Sequence, residues 1–188
     1  GLLGYSTRAE VASDIAAVDA QNAEVAAVLA AADLSALSQE DPAYYFGVSG
    51  GAAVFRANCS QCHGSGAAGV LAAGYPNLLD DDWLWGGTLE DIEYTIRHGV
   101  RNEIDWDARW SEMPAFAEIL SEEEQAAVVE HVLALSGQDH DAARLAAGAE
   151  VFEAQCASCH GAGGMGDPSQ GAPNLTDAIW LYGGSRED

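Results

Sequence analysis

Apolar residues recur at Val11, Ile15, Val18, Val25 and Leu29, the spacing of one helical face, behind a capping box at Thr7-x-x-Glu10. This pattern predicts a long, alanine-rich helix over residues 7 to 32, of modest amphipathicity. A helix of that composition is marginal alone, so one face is expected to lie on a partner or on the domains that follow. Ser35 to Gly50, which contains Pro42, reads as a connector. A first domain is then expected over about 48–136. It begins with a helix running to Cys62 and His63, followed by a glycine-rich loop, a capped helix from Thr88 and a loop around Met113. A final helix starts at Ser121 with Glu124 as its box partner, lined by Val128, Val129, Val132, Leu133 and Leu135. His131 on that helix is expected to pack or to face water. A short polar linker, 137–147, leads into a second domain, 148–188, and residues 1–47 form the leading helix and connector.

The chain contains an internal repeat. Sliding the sequence by 97 positions, 156 minus 59, aligns Gly51 with Gly148, Phe55 with Phe152, Pro76-Asn77-Leu78 with Pro173-Asn174-Leu175, and Trp83-Leu84 with Trp180-Leu181, without a gap. Trp85-Gly86-Gly87 then falls on Tyr182-Gly183-Gly184. Two copies of one domain are implied.

Each copy carries the signature FxxxCxxCHG, with Cys59, Cys62 and His63 in the first and Cys156, Cys159 and His160 in the second. Cys-x-x-Cys-His is the attachment pattern of a c-type haem. Two thiols three residues apart on one helical turn reach the two vinyl groups, and the adjacent His reaches the iron. All four cysteines are consumed this way, giving two covalent haems. Zinc is the alternative for two CxxC pairs, although zinc asks for nothing particular after the second cysteine. Redox dithiols on a thioredoxin-like fold would need alternating strand and helix patterns, and none surrounds these pairs.

The other matched residues have physical roles in a small helical haem domain. Gly51 and Gly148 allow close approach of another helix, with Phe55 and Phe152 as the apolar knobs there. Pro76 and Pro173 lack an amide hydrogen, and a backbone carbonyl in such a loop can accept the second ring N–H of the histidine. Trp83 and Trp180 supply bulk against the macrocycle or plain core packing.

A sixth ligand is still needed. Met113 lies 50 residues after His63, in a turn before a helix, and Pro114 favours an ordered ligand loop. His98, beside Gly99 at a helix end, is the reserve candidate. The repeat offset applied to Met113 points 22 residues past Asp188, so the second iron's other ligand is expected beyond Asp188 and the second domain is expected to be incomplete here. Met165, five residues after His160, reads as a loop residue.

The formal charge is −23, with seven arginines and no lysine. That excludes nucleic acid and an anionic membrane surface as partners and suits a basic one, for which acidic patches raise the on-rate. Arg97 and Arg101 are candidates to neutralise haem propionates, or are ordinary surface arginines. Covalent haem attachment needs reduced cysteines outside the cytoplasmic membrane, which places the domains in a bacterial periplasm. No signal peptide and no apolar run long enough to span a bilayer is visible, and a preceding anchor is expected upstream of Gly1.

A narrower set of residues combines these features: Gly4-Tyr5-Ser6, Asn58-Cys59-x-x-Cys62-His63-Gly64, Tyr75-Pro76-Asn77-Leu78, Trp83-Leu84-Trp85-Gly86-Gly87, Met113-Pro114-Ala115-Phe116, Leu135-Ser136-Gly137, Gly171 to Asp177, and Trp180 to Gly184. The set resembles the dihaem cytochrome c subunit, the CcoP or FixP family, of cbb3-type haem-copper cytochrome c oxidases. Resemblance implies an all-α fold of two tandem class I cytochrome c-like domains behind the long helix, and an N-terminal membrane anchor in the bacterial inner membrane. It implies assembly with the catalytic haem-copper subunit and a monohaem cytochrome c subunit. A cytochrome c, and the quinol–cytochrome c oxidoreductase complex behind it, are the implied electron donors. His131 departs from the family, whose last helix usually carries an aromatic there. With full six-coordination the chain would relay single electrons toward oxygen reduction and perform no bond chemistry. The rival readings are a dihaem peroxidase, which needs a displaceable sixth ligand, a zinc-binding module, and a free or dehydrogenase-associated dihaem cytochrome.

Overall fold

The computed structural model describes residues 6–188, apart from the Ala72 side chain. Gly4 and Tyr5, quoted above for the resemblance, lie outside the described residues. Among those residues every regular element is helical, with only isolated bridges between extended residues. The chain divides into two compact units, residues 1–61 and 62–188.

In the first unit α1 runs Thr7–Ala31. Its cap is Ser6, whose hydroxyl accepts from the Ala9 amide, so the cap lies one residue before the expected Thr7 and, with alanine at the position that would reciprocate, is a simple cap and not the expected box. Ser6 holds the extended backbone that a cap needs, and Thr7 is already helical. Val11, Ile15 and Val18 are exposed, whereas Leu29 packs on Gly47 of α2, Pro42–Val54. Half of the expected connector is therefore helix. Asp41 caps α2 by accepting from the Ala43 amide at 2.8 Å, and Pro42 occupies the first helical turn, where its missing N–H costs nothing. The boundary expected at 47/48 falls inside this helix. From Phe55 to Cys59 the helix widens to a π turn, the Ser60 amide bonding the Phe55 carbonyl.

The second unit contains α4, Leu89–His98, capped by Thr88 as the sequence predicts, and α5, Glu122–Leu135, whose capping box between Ser121 and Glu124 is fully formed. A chain turn leads to α6, Leu145–Gln155, which starts three residues inside the expected linker because residues Leu145 to Ala147 are good helix formers. Helices α5 and α6 pack closely. A Cβ at Gly148 would collide with the Ala127 carbonyl and stand 2.9 Å from the His131 Cβ. This is the close approach the sequence predicts for that glycine, and α5 is the helix that makes it. Phe152 is 1% exposed, with its ring 5.2 Å from that of His131, and such burial is worth about 1.5–3 kcal/mol. On the same face the buried Glu130 carboxylate accepts from Arg186 Nε at 2.6 Å and from the Asp141 amide at 2.7 Å.

Candidate haem-attachment sites

In the second repeat α6 passes into α7, Ala157–His160, through Cys156, whose carbonyl accepts from the Cys159 and His160 amides at 3.1 and 3.0 Å. That continuous turn brings both cysteines and the histidine onto adjacent positions. His160 is 8% exposed. Its Nδ1 lies 2.9 Å from the Pro173 carbonyl, and since a carbonyl only accepts, Nδ1 carries the hydrogen and Nε2 keeps its lone pair. Burial pushes the Cys156 thiol up, with Cys159 adding to the shift.

In the first repeat the π turn leads into α3, Ser60–His63, which carries Cys62 and His63. His63 Nδ1 donates to the Pro76 carbonyl at 3.1 Å. Cys59 lies in the first unit, which ends at Gln61, while Cys62 and His63 open the second.

Both proline carbonyls are held by the same bonds. The Gly69 amide donates to His63 O at 2.9 Å, and the Gly166 amide to His160 O at 2.8 Å. Val70 and Tyr75 exchange two backbone bonds, as do Asp167 and Ala172. The Leu78 amide bonds Ala67 O, and the Leu175 amide bonds Gly164 O. Asn77 Oδ1 accepts from the Leu79 amide and Asn174 Oδ1 from the Thr176 amide. Each pair is separated by the 97 residues of the repeat. Gly69 and Gly166 have positive φ, and a Cβ on either would stand 2.7 or 2.8 Å from the proline carbonyl carbon, so no side chain fits between the turn and the carbonyl it supports.

Met113 lies in an extended segment before the turn Phe116–Glu118 and is 74% exposed, which leaves its thioether accessible. Met165 is also exposed, in a loop, with its sulfur accepting from Thr176 Oγ1 at 3.6 Å. His98 ends α4 and pairs through Nδ1 with Asp105 at 3.0 Å, while its ring lies 4.6 Å from Tyr94. His131 packs on Phe152, and burial lowers its pKa, favouring the neutral ring. Arg97 pairs with Glu93, and Arg101 donates to the Ser111 carbonyl.

The residue that sequence reasoning passed over is Arg109. Its side chain donates to the Trp85 carbonyl at 2.6 Å and to Asp91 Oδ1 at 3.1 Å, and the guanidinium lies 5.0 Å from the Tyr94 ring centroid. Its buried Nε has no hydrogen-bond partner. No motif marks this position. Arg109 is carried here by the backbone pairing of Gly99 and Arg101 with Arg109.

These features fit an iron porphyrin. Two histidines have a free Nε2 fixed by a carbonyl behind the ring, the cysteines stand at thioether spacing, and the guanidinium offers an unspent N–H suited to a carboxylate. The segment around Met113 also exposes Trp110 and Ile119, apolar surface of the kind a macrocycle covers.

Motifs of this kind mark the c-type cytochromes, a class whose cofactor is haem c. Residues 145–188 match the family model described as cytochrome c, and residues 47–132 match that of cytochrome c oxidase, cbb3-type, subunit III. The cbb3-type cytochrome c oxidase subunit CcoP of Cereibacter sphaeroides is 55% identical over 188 residues, covering 99% of this chain and 64% of the relative. Subunit FixP of Sinorhizobium medicae is 46% identical, over 97% of this chain and 63% of the relative, and CcoP of Rhodobacter capsulatus is 47% identical, over 98% and 62%. The chain belongs to this CcoP/FixP family. It spans just under two thirds of the length of these relatives.

Proposed function

We propose that the chain carries two haem c groups in two tandem lobes and serves as an electron-transfer subunit of a cbb3-type oxidase. In this reading it takes electrons from a cytochrome c and passes them toward the haem-copper catalytic subunit, beside a monohaem cytochrome c subunit. When bound, each haem supplies a one-electron couple. Cys59 and Cys62 hold the first through thioethers, and Cys156 and Cys159 the second. His63 and His160 would bind the irons through Nε2, and Met113 would supply a further ligand to the first iron. The Pro76 and Pro173 carbonyls orient the two imidazoles and raise their basicity. Arg109 Nε holds a haem carboxylate of the first lobe. The charge of −23 steers a basic donor to the surface, raising the encounter rate more than the affinity. Assembly with the oxidase places the lobes on the periplasmic side of a bacterial inner membrane. Among the described residues no helix is long and apolar enough to cross a membrane.

One observation carries this reading. The same ring-nitrogen-to-carbonyl bond, inside the same loop of hydrogen bonds, follows both Cys-x-x-Cys-His motifs. The test is the absorption spectrum and intact mass of the natural full-length protein. Two haem masses retained after denaturation are expected, and a pale protein with the mass of the bare polypeptide refutes the proposal. For the axial ligand, Met113→Leu lowers the first haem's potential by on the order of 0.1 V, a fraction of the ~0.8 V that axial ligands span, and opens the ferrous iron to carbon monoxide. An unchanged potential and spectrum would remove Met113 from the ligand set.

A further inference from the structure

Inside the second unit the two repeats meet along a contact that itself obeys the repeat. The Trp85 indole lies on Gly171, where an added Cβ would overlap the ring, its Cδ2 only 2.8 Å away. Advancing Trp85 by 97 residues gives Tyr182, and moving Gly171 back by 97 gives Gly74. The Tyr182 ring lies on Gly74 in the same manner, with Cζ 3.1 Å from the Cβ position. Exchanging the two repeats therefore maps the contact onto itself, the relation of an isologous interface within one chain.

Both seats are turns with positive φ, +71° at Gly74 and +62° at Gly171. Each lies two residues before the proline whose carbonyl supports a site histidine. The aromatic ring of each repeat thus presses on the turn that orients the imidazole of the other. Arg109 backs this arrangement on one side, with its guanidinium 5.7 Å from the Trp85 ring centroid and a bond to the Trp85 carbonyl. Beside the contact lies a cleft of about 290 Å³ with Asp81, Asp82 and Trp83 on one wall and Met165, Pro173 and Asp177 on the other. Burial pushes the Asp82 carboxyl up, and repulsion from Asp177 adds to it. Charge therefore opposes closure along this seam, and shape must hold it.

We propose that this reciprocal aromatic-on-glycine contact is an intramolecular docking surface that sets the relation of the two histidine motifs, with Trp85 and Tyr182 as positioning residues. The docking stands independently of haem. Its consequence rests on the proposed function: one haem is oxidised as the other is reduced, at a fixed separation, with no bond made or broken.

The test uses the haem-loaded full-length subunit with Trp85→Ala, Tyr182→Ala and, as a control, Gly51→Ala. Amide exchange is followed in peptides covering 70–78 and 165–176, together with electron equilibration between the haems after one-electron pulse reduction. Either aromatic-to-alanine change speeds exchange in both turns, by about tenfold, and slows equilibration at least severalfold while the absorption spectrum is kept. The control matches wild type. If Trp85→Ala loosens only the Gly171 turn and Tyr182→Ala only the Gly74 turn, the contacts are independent and the proposal fails. It fails equally if both turns loosen and equilibration is unchanged. Should the alanine variants lose haem, Trp85→Tyr, which installs the other repeat's residue, decides: wild-type exchange and rate are expected, and the loosened turns and slowed rate described for Trp85→Ala overturn the proposal. A wild-type protein without haem would refute the proposed function, yet leave the exchange reciprocity readable.

Discussion

The two helices that lead into Cys-x-x-Cys-His share a glycine, a phenylalanine and both cysteines at the same spacing, yet their surroundings differ. On α6, Gly148 lies against the backbone of α5 and Phe152 is sealed. On α2, a Cβ at Gly51 would meet no other atom of its own unit within 4 Å, and Phe55 is half-buried. The histidines that follow are nonetheless held alike, by carbonyls at 3.1 and 2.9 Å. The loop around each histidine is a local construction, written in glycines and a proline and closed by its own hydrogen bonds. Burial of the helix before it depends on which partner helix arrives.

Breaking this contrast starts with the phenylalanines. Phe152→Ala costs about 3–5 kcal/mol in urea unfolding, and Phe55→Ala about half as much, because only the first leaves a sealed cavity. Equal losses would mean that the two helices are equally packed. Next come the glycines: Gly148→Ala destabilises by about 1–3 kcal/mol through overlap with the Ala127 carbonyl, whereas Gly51→Ala stabilises by about 0.5–1 kcal/mol as a better helix former. Opposite signs in one melting experiment would sharpen the comparison most directly. Within the loops, Asn174→Ala loses two bonds, from the Thr176 amide and hydroxyl, and Asn77→Ala loses one, so the costs are about 2 and about 1 kcal/mol.

A further effect is a change in pH dependence. The Arg186 guanidinium, with the Asp141 amide, holds the Glu130 carboxyl at about 2 instead of 4.5. A depressed carboxyl contributes stability that is complete above pH 4.5 and fades as the pH falls toward 2. Glu130→Gln should flatten the acid limb of the unfolding curve across that window. An unaltered limb would show that the ion pair leaves stability unchanged.

Much of this architecture can be read from residue types because its determinants are short in range. The caps at Thr88 and Ser121 and the histidine-to-carbonyl bonds all lie within 13 residues of their partners, and the 97-residue offset transfers the loop from one repeat to the next. Reading Pro42 as a break hid α2, although an acidic cap followed by proline is itself a start signal. Arg97 and Arg101 drew attention by closeness in sequence to the first motif. Arg109 reaches Trp85 across 24 residues through backbone pairing that no periodicity announces. The partner of Gly148 was equally hidden, since a glycine declares that something approaches without saying what.

The π turn at Phe55–Cys59 has its own consequence. The two repeats align without a gap, so this wider turn is made by the same number of residues that lead from Phe152 into α7, and it is the backbone bonding that differs. Identical spacing is thus reached through two different backbone bonding patterns, with the Ser60 amide bonding five residues back to Phe55 and the Cys156 amide four residues back to Phe152. The duplicated segments therefore keep one sequence spacing while the chain that leads into it is wound differently in each.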